Sequence, residues 1–84
     1  MRLRSLLQRM NKEPIHLLAK RHNYFPKRFI WRGEQYDVYA VERVWTEVKR
    51  RGAWHCFRIR CEAGTLDLVQ DTNLNAWYLT AETG

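Results

Sequence analysis

The chain is short of several things, and each shortage removes a class of explanation. No uninterrupted apolar run is longer than the four residues Val38 to Val41, far from the roughly 20 residues of a membrane-spanning helix. There are only two cysteines, Cys56 and Cys61, which argues against a disulfide scaffold and for a reducing, cytoplasmic setting. On a single strand their spacing of five residues puts them on opposite faces, so no intrachain disulfide is expected. Met1–Met10 is Arg-rich, but Arg and Gln interrupt its apolar pairs before a secretory h-region forms, and a mitochondrial-type presequence would be very short with one Ser. Internal repeats and low-complexity tracts are absent.

Catalytic signatures are missing too. His16, His22, His55, Cys56 and Cys61 match no zinc spacing, so no metal is expected. His55 and Cys56 are adjacent and point apart on a strand, which denies a thiol its base. The carboxylates Glu34, Asp37, Glu42, Glu47, Glu62, Asp67 and Asp71 form no paired motif, and there is no Gly-rich phosphate loop. These residues predict no enzyme, no cofactor and no small-molecule substrate.

Acid is scarce at one end only. Residues 1–32 hold nine Lys or Arg against the single acid Glu13, a surplus of eight, while residues 33–84 hold six bases and eight acids. Charge so lopsided points to a polyanion or an acidic surface as partner. With 84 residues, 45% of them hydrophobic, one folded domain with a small core is expected and intrinsic disorder is not.

Two patterns divide the chain. Leu3, Leu6, Leu7 and Met10 recur at helical spacing, with Arg2, Arg4 and Arg9 off that stripe. Pro14 disfavours helix at Glu13, and Ile15, Leu18, Ala19 and His22 repeat the same spacing beyond it. The spacing therefore predicts a basic helical arm over residues 1–23, ended by Asn23–Pro26. From there the period becomes two. Arg28–Trp31, Gln35–Glu47, Trp54–Cys61, Thr65–Gln70 and Ala76–Ala81 predict a β domain over residues 24–84, a five-stranded, bent, barrel-like antiparallel meander, α+β in class when the arm is included. A bulge near Tyr39–Ala40 is needed to reconcile Tyr36 and Val38 with Val41 and Trp45. Trp31, Tyr36, Phe57, Ile59, Leu66, Leu68 and Leu79 are the expected core. A meander also brings Lys49, Arg50 and Arg51 to the same end of the sheet as Asp71–Asn75, with the Gly33 and Gly64 turns at the other.

Within this frame, Trp54, Cys56, Arg58 and Arg60 share a strand face that suits base stacking and phosphate pairing, although an ordinary solvated face reads the same way. Lys49-Arg50-Arg51-Gly52 fits a basic tip reaching into a groove, or a hairpin tip kept soluble by charge. The arm can track a phosphate backbone or dock on a protein; its apolar stripe is too short and lacks the Trp or Phe for membrane insertion, and is expected to pack on the sheet with the bases facing outward.

The run Phe29-Ile30-Trp31-Arg32-Gly33-Glu34-Gln35-Tyr36-Asp37-Val38, then Phe57-Arg58-Ile59-Arg60, Gly64-Thr65-Leu66-Asp67-Leu68 and Trp77-Tyr78-Leu79, resembles a group of small bacterial domains of unknown function. Their pattern opens Phe-x-Trp-Arg-Gly-x-x-Tyr-x-Val and closes Trp-x-Leu, and the resemblance covers residues 26–81. Some members are associated with Y-family (translesion) DNA polymerases, which implies a nucleic-acid context; the group offers no catalytic residues to carry over. The expectation is a small basic binding module that holds DNA or RNA through Lys49, Arg50, Arg51, Trp54, Arg58 and Arg60. The alternative is an accessory subunit of a protein complex, docking through Arg2, Leu3, Arg4, Leu6, Leu7, Arg9 and Met10.

Overall fold

A computed structural model describes residues 12–82. Seven strands run through them: β1 (Glu13–Arg21), β2 (Phe25–Trp31), β3 (Glu34–Asp37), β4 (Ala40–Lys49), β5 (Gly52–Cys61), β6 (Gly64–Asp71) and β7 (Ala76–Glu82). They form one antiparallel sheet in the order β3-β2-β1-β7-β6-β5-β4.

The expected α+β class is therefore wrong over the described residues, which contain no helix and are all-β; the second half of the expected helical arm is a strand. The predicted helix over residues 3–10 lies outside the described residues. The second predicted helix is β1. Ile15 and Leu17 alternate with exposed His16 and Leu18 and pack on the core, so the period here is two despite the helical spacing of Ile15, Leu18, Ala19 and His22. Tertiary pairing decides the matter. The start of β1 pairs with β7 and the rest with β2, which satisfies strand edges that a helix would leave open. The chain reverses at His22 and Asn23, both at φ 56°, and the Tyr24 N–H donates to the Arg21 carbonyl at 3.1 Å. Two successive left-handed residues make the hairpin turn that matches strand twist.

The runs predicted after residue 27 become strands, with one division. Residues 34–49 are continuous in direction but serve both edges of the sheet. The Val38 N–H donates to the Lys27 carbonyl at 2.9 Å, and the Tyr39 N–H to the Arg60 carbonyl at 2.7 Å. Adjacent residues thus bond to β2 and to β5, at opposite sides of the sheet, and the sheet curls into a half-barrel. In place of the bulge expected at Tyr39–Ala40, the chain changes partner there. A second irregularity follows, because Val41 faces Ile59 and Arg43 faces Arg58; the extra residue, Glu42, is a bulge that returns Val44 to the inner face and turns Trp45 outward.

The core lies inside the curl. Phe29, Trp31, Phe57, Ile59, Cys61, Leu66, Leu68, Trp77 and Leu79 are buried together, with Ile15, Leu17, Tyr36 and Val41 packed against them. Phe57 stacks on Trp77 at 5.6 Å between ring centroids. Of the expected core only Tyr36 is half-buried rather than buried. Glu13, the single acid of the basic segment, locks β1 to the β2–β3 turn. Its carboxylate accepts from the Trp31 indole N–H at 3.0 Å and from the Arg32 guanidinium at 2.8 and 3.0 Å.

Candidate functional site

Strand register builds the outer face in rows. Trp45, Cys56, Val69, Tyr78 and Pro14 face one another in turn across β4, β5, β6, β7 and β1. Glu47, Trp54, Asp71 and Ala76 form the next row. On an outward face Cys56 and Val69 are nonetheless buried, at 0% and 4% exposure. Trp54 and Tyr78 stack at 6.3 Å with their planes 23° apart, and Val69 is cross-strand from Tyr78.

Cations gather on these rings. The Lys12 ammonium lies 4.4 Å from the Trp54 ring centre and 4.8 Å from that of Tyr78, and the Lys49 ammonium lies 4.7 Å from Trp54. The guanidinium groups of Arg43 and Arg58 lie 5.0 and 5.7 Å from Trp45. Each such contact contributes modestly at an exposed site. Together they form an aromatic strip edged with positive charge.

The two acids beside Trp54 are occupied. Glu47 accepts from Lys49 at 3.1 Å and from the Trp45 indole at 3.2 Å; the Lys49 and then the Trp45 hydrogen bond hold its carboxyl below the usual range. Asp71 accepts from the backbone N–H groups of Asn73 and Leu74 at 3.0 and 3.3 Å, an Asx turn that shapes the β6–β7 connection.

The residues singled out by sequence fall into three groups. Lys49 and Trp54 belong to the strip. Arg50 and Arg51 form the two-residue tip between β4 and β5, exposed and without a salt-bridge partner among the described residues. That tip does adjoin the Asp71–Asn75 turn, since Thr72 donates its hydroxyl to the Ala53 carbonyl at 2.8 Å. Gly52, at φ 130°, also has Asn73 so close that a Cβ would come within 2.8 Å of it. Arg58 and Arg60 are engaged elsewhere. Arg58 forks onto Asp67 at 2.8 and 3.0 Å, and Arg60 pairs with Glu42 at 3.0 Å. Arg2, Leu3, Arg4, Leu6, Leu7, Arg9 and Met10 lie outside the described residues.

Sequence reasoning missed Trp45 and Tyr78, and it gave Lys12 a role only within the basic segment that could track a phosphate backbone, not at Trp54. The alternation of buried Trp77 and Leu79 around Tyr78 marked Tyr78 as outward-facing, but its meeting with Trp54 depends on register across three strands.

Both thiols are free and buried. Burial, with Glu47 adding to it, pushes the Cys56 thiol up to about 11, and burial raises Cys61 as well. No group of His, Cys, Asp and Glu among the described residues is arranged to hold a metal ion. No helix among them is long and apolar enough to cross a membrane.

Comparison with curated proteins and with solved structures finds no match. A protein family does match, over residues 6–83, a span that starts well before the 26–81 of the sequence resemblance and takes in β1. That coverage of nearly the whole chain makes this protein a member of the DUF6504 family, a domain of unknown function.

Proposed function

We propose that the protein is a small, non-catalytic nucleic-acid-binding module of the bacterial cytoplasm, which holds single-stranded DNA or RNA on the strip formed by Trp54, Tyr78 and Trp45. The observation that carries the reading is the convergence of two ammonium groups, Lys12 and Lys49, on the one Trp54 ring that stacks on Tyr78. Glu47 already pairs with Lys49, so Lys12, which has no salt-bridge partner among the described residues, is the ammonium left for a phosphate beside the ring. The ring beneath then offers a face to an unpaired base.

Arg50 and Arg51 supply further phosphate contacts, since neither has a salt-bridge partner among the described residues. Arg58 and Arg60 contribute little, because their guanidinium groups already serve Asp67 and Glu42. Recognition is by phosphate and stacking, with little sequence readout. The resemblance to domains associated with Y-family polymerases supports a DNA context. The raised Cys56 thiol, protonated and buried at neutral pH, favours a binding role over nucleophilic chemistry.

The test is fluorescence anisotropy with a labelled single strand and the matching duplex. Trp54→Ala should weaken single-strand binding by about 1–3 kcal/mol and affect the duplex less. Equal losses on both, or none on either, would remove the strip from the account.

A further inference from the structure

β4 ends the sheet, and among the described residues nothing pairs with its outer side. Its first half faces the β1–β2 hairpin across a pocket that Ala40, Val41 and Val44 line with His22, Phe25 and Pro26, and its second half, through Lys49, is the open edge; Val44 is 40% exposed and Val48 87%. Edges of this kind recruit another strand unless they are blocked.

Which backbone groups point outward can be read from β5. The Ala53 carbonyl accepts from Thr72, on the side of β6, so the facing pair Val48–Ala53 does not exchange hydrogen bonds. Antiparallel alternation then turns the N–H and C=O of Val48, Thr46 and Val44 toward the open edge, while Glu47, Trp45 and Arg43 bond to β5.

The edge is self-complementary about Trp45. If a second β4 lies antiparallel with the two Trp45 residues opposite each other, Val44 faces the partner's Thr46, and both have outward backbone groups. On the outer face Arg43 then meets the partner's Glu47, and Glu47 the partner's Arg43. Arg43 has no salt-bridge partner within its own chain among the described residues and rests on Trp45; Glu47 is half-exposed, and its carboxylate, which already accepts from Lys49 and the Trp45 indole, has lone pairs left for a further donor. Centring one residue later sets Arg43 against the partner's Lys49. Centring one residue earlier leaves Glu47 opposite the partner's Val41. We propose that β4 is the interface of a two-fold homodimer, paired edge to edge about Trp45 and fixed by two reciprocal Arg43–Glu47 ion pairs. The two outer faces then lie on the same side of one continuous sheet.

Sedimentation velocity on the full chain over a wide concentration range tests this. The wild type dimerises. Arg43→Glu and Glu47→Arg each turn two attractive pairs into repulsive ones and raise the dimer Kd by about tenfold or more. The double variant R43E/E47R restores it to within about threefold, because the pairs are reformed with signs reversed. Thr46→Pro removes an outward N–H that β5 does not use, and gives a monomer with unchanged circular dichroism. A wild type that stays monomeric at every concentration would overturn the proposal. So would a dimer indifferent to the single charge reversals, a double variant no better than either single one, or dimerisation that appears only when residues 1–12 are deleted.

Discussion

Glu13 gives the sharpest stability prediction. It ties β1, a strand that sequence periodicity read as helix, to the β2–β3 turn. Truncation by Glu13→Ala removes the acceptor of the Trp31 indole N–H, and Trp31 is only 5% exposed. It also releases the Arg32 fork, which is largely solvated at 64% side-chain exposure and so adds little by itself. An unsatisfied, mostly buried donor costs about 1–3 kcal/mol; the partial exposure of Glu13 lets water recover some of it, leaving about 1–2 kcal/mol. For a domain of this size that is a fall in Tm of roughly 5–15 °C, measurable by circular dichroism. On a Trp31→Phe background, where the donor is gone, the same substitution should cost less than half as much. The effect also depends on pH. The Arg32 and Trp31 hydrogen bonds lower the folded-state pKa of Glu13 from 4.5, so its contribution is complete above the unfolded value and is lost as pH falls through the lower, folded one. The gap between wild type and Glu13→Ala should therefore close in acid. An undiminished gap at low pH, or a Tm loss near zero at neutral pH, would refute the assignment.

Further outcomes follow from the same geometry. Arg58→Ala should lower Tm, because Asp67 is buried and loses its bidentate partner, yet leave the salt dependence of nucleic-acid binding unchanged; a changed slope with intact stability would make Arg58 a phosphate contact. Gly52→Ala should destabilise by about 1–3 kcal/mol in thermal unfolding, from the left-handed backbone strain and the contact with Asn73. Cys56 should resist thiol reagents at neutral pH in the folded protein and react on unfolding, since burial holds it at about 11; rapid labelling of the native state would contradict its place beneath the outer face.

The β half of the fold was legible because its signals are local. Alternation in Trp54–Cys61 and the short turns at Arg32-Gly33 and Glu62-Ala63 specify hairpins without reference to the rest of the chain, and the Thr72–Ala53 contact follows from meander order. The conflict of phase between Val38 and Val41 marked an irregularity there, but it is one chain segment changing partner across the curl, a property of closure, and the bulge itself lies at Glu42. β1 was not legible. Ile15, Leu18, Ala19 and His22 satisfy a helical period by coincidence, and only the open edges of β7 and β2 select the strand. The candidate site was half legible for a similar reason. Trp54 and Lys49 stand out in sequence, whereas the capture of Arg58 by Asp67, and of Arg60 by Glu42, and the arrival of Lys12 and Tyr78 at Trp54, are long-range consequences of register.

The most direct test of the nucleic-acid account is the salt dependence of binding. With about three phosphate contacts from Lys12, Arg50 and Arg51, log K against log [salt] should fall with a slope of roughly −2 on a single strand. Replacing Arg50 and Arg51 by Ala should flatten it by about 1.5, with sequence preference untouched. Binding that is absent at low salt, or present but insensitive to salt, would contradict the account.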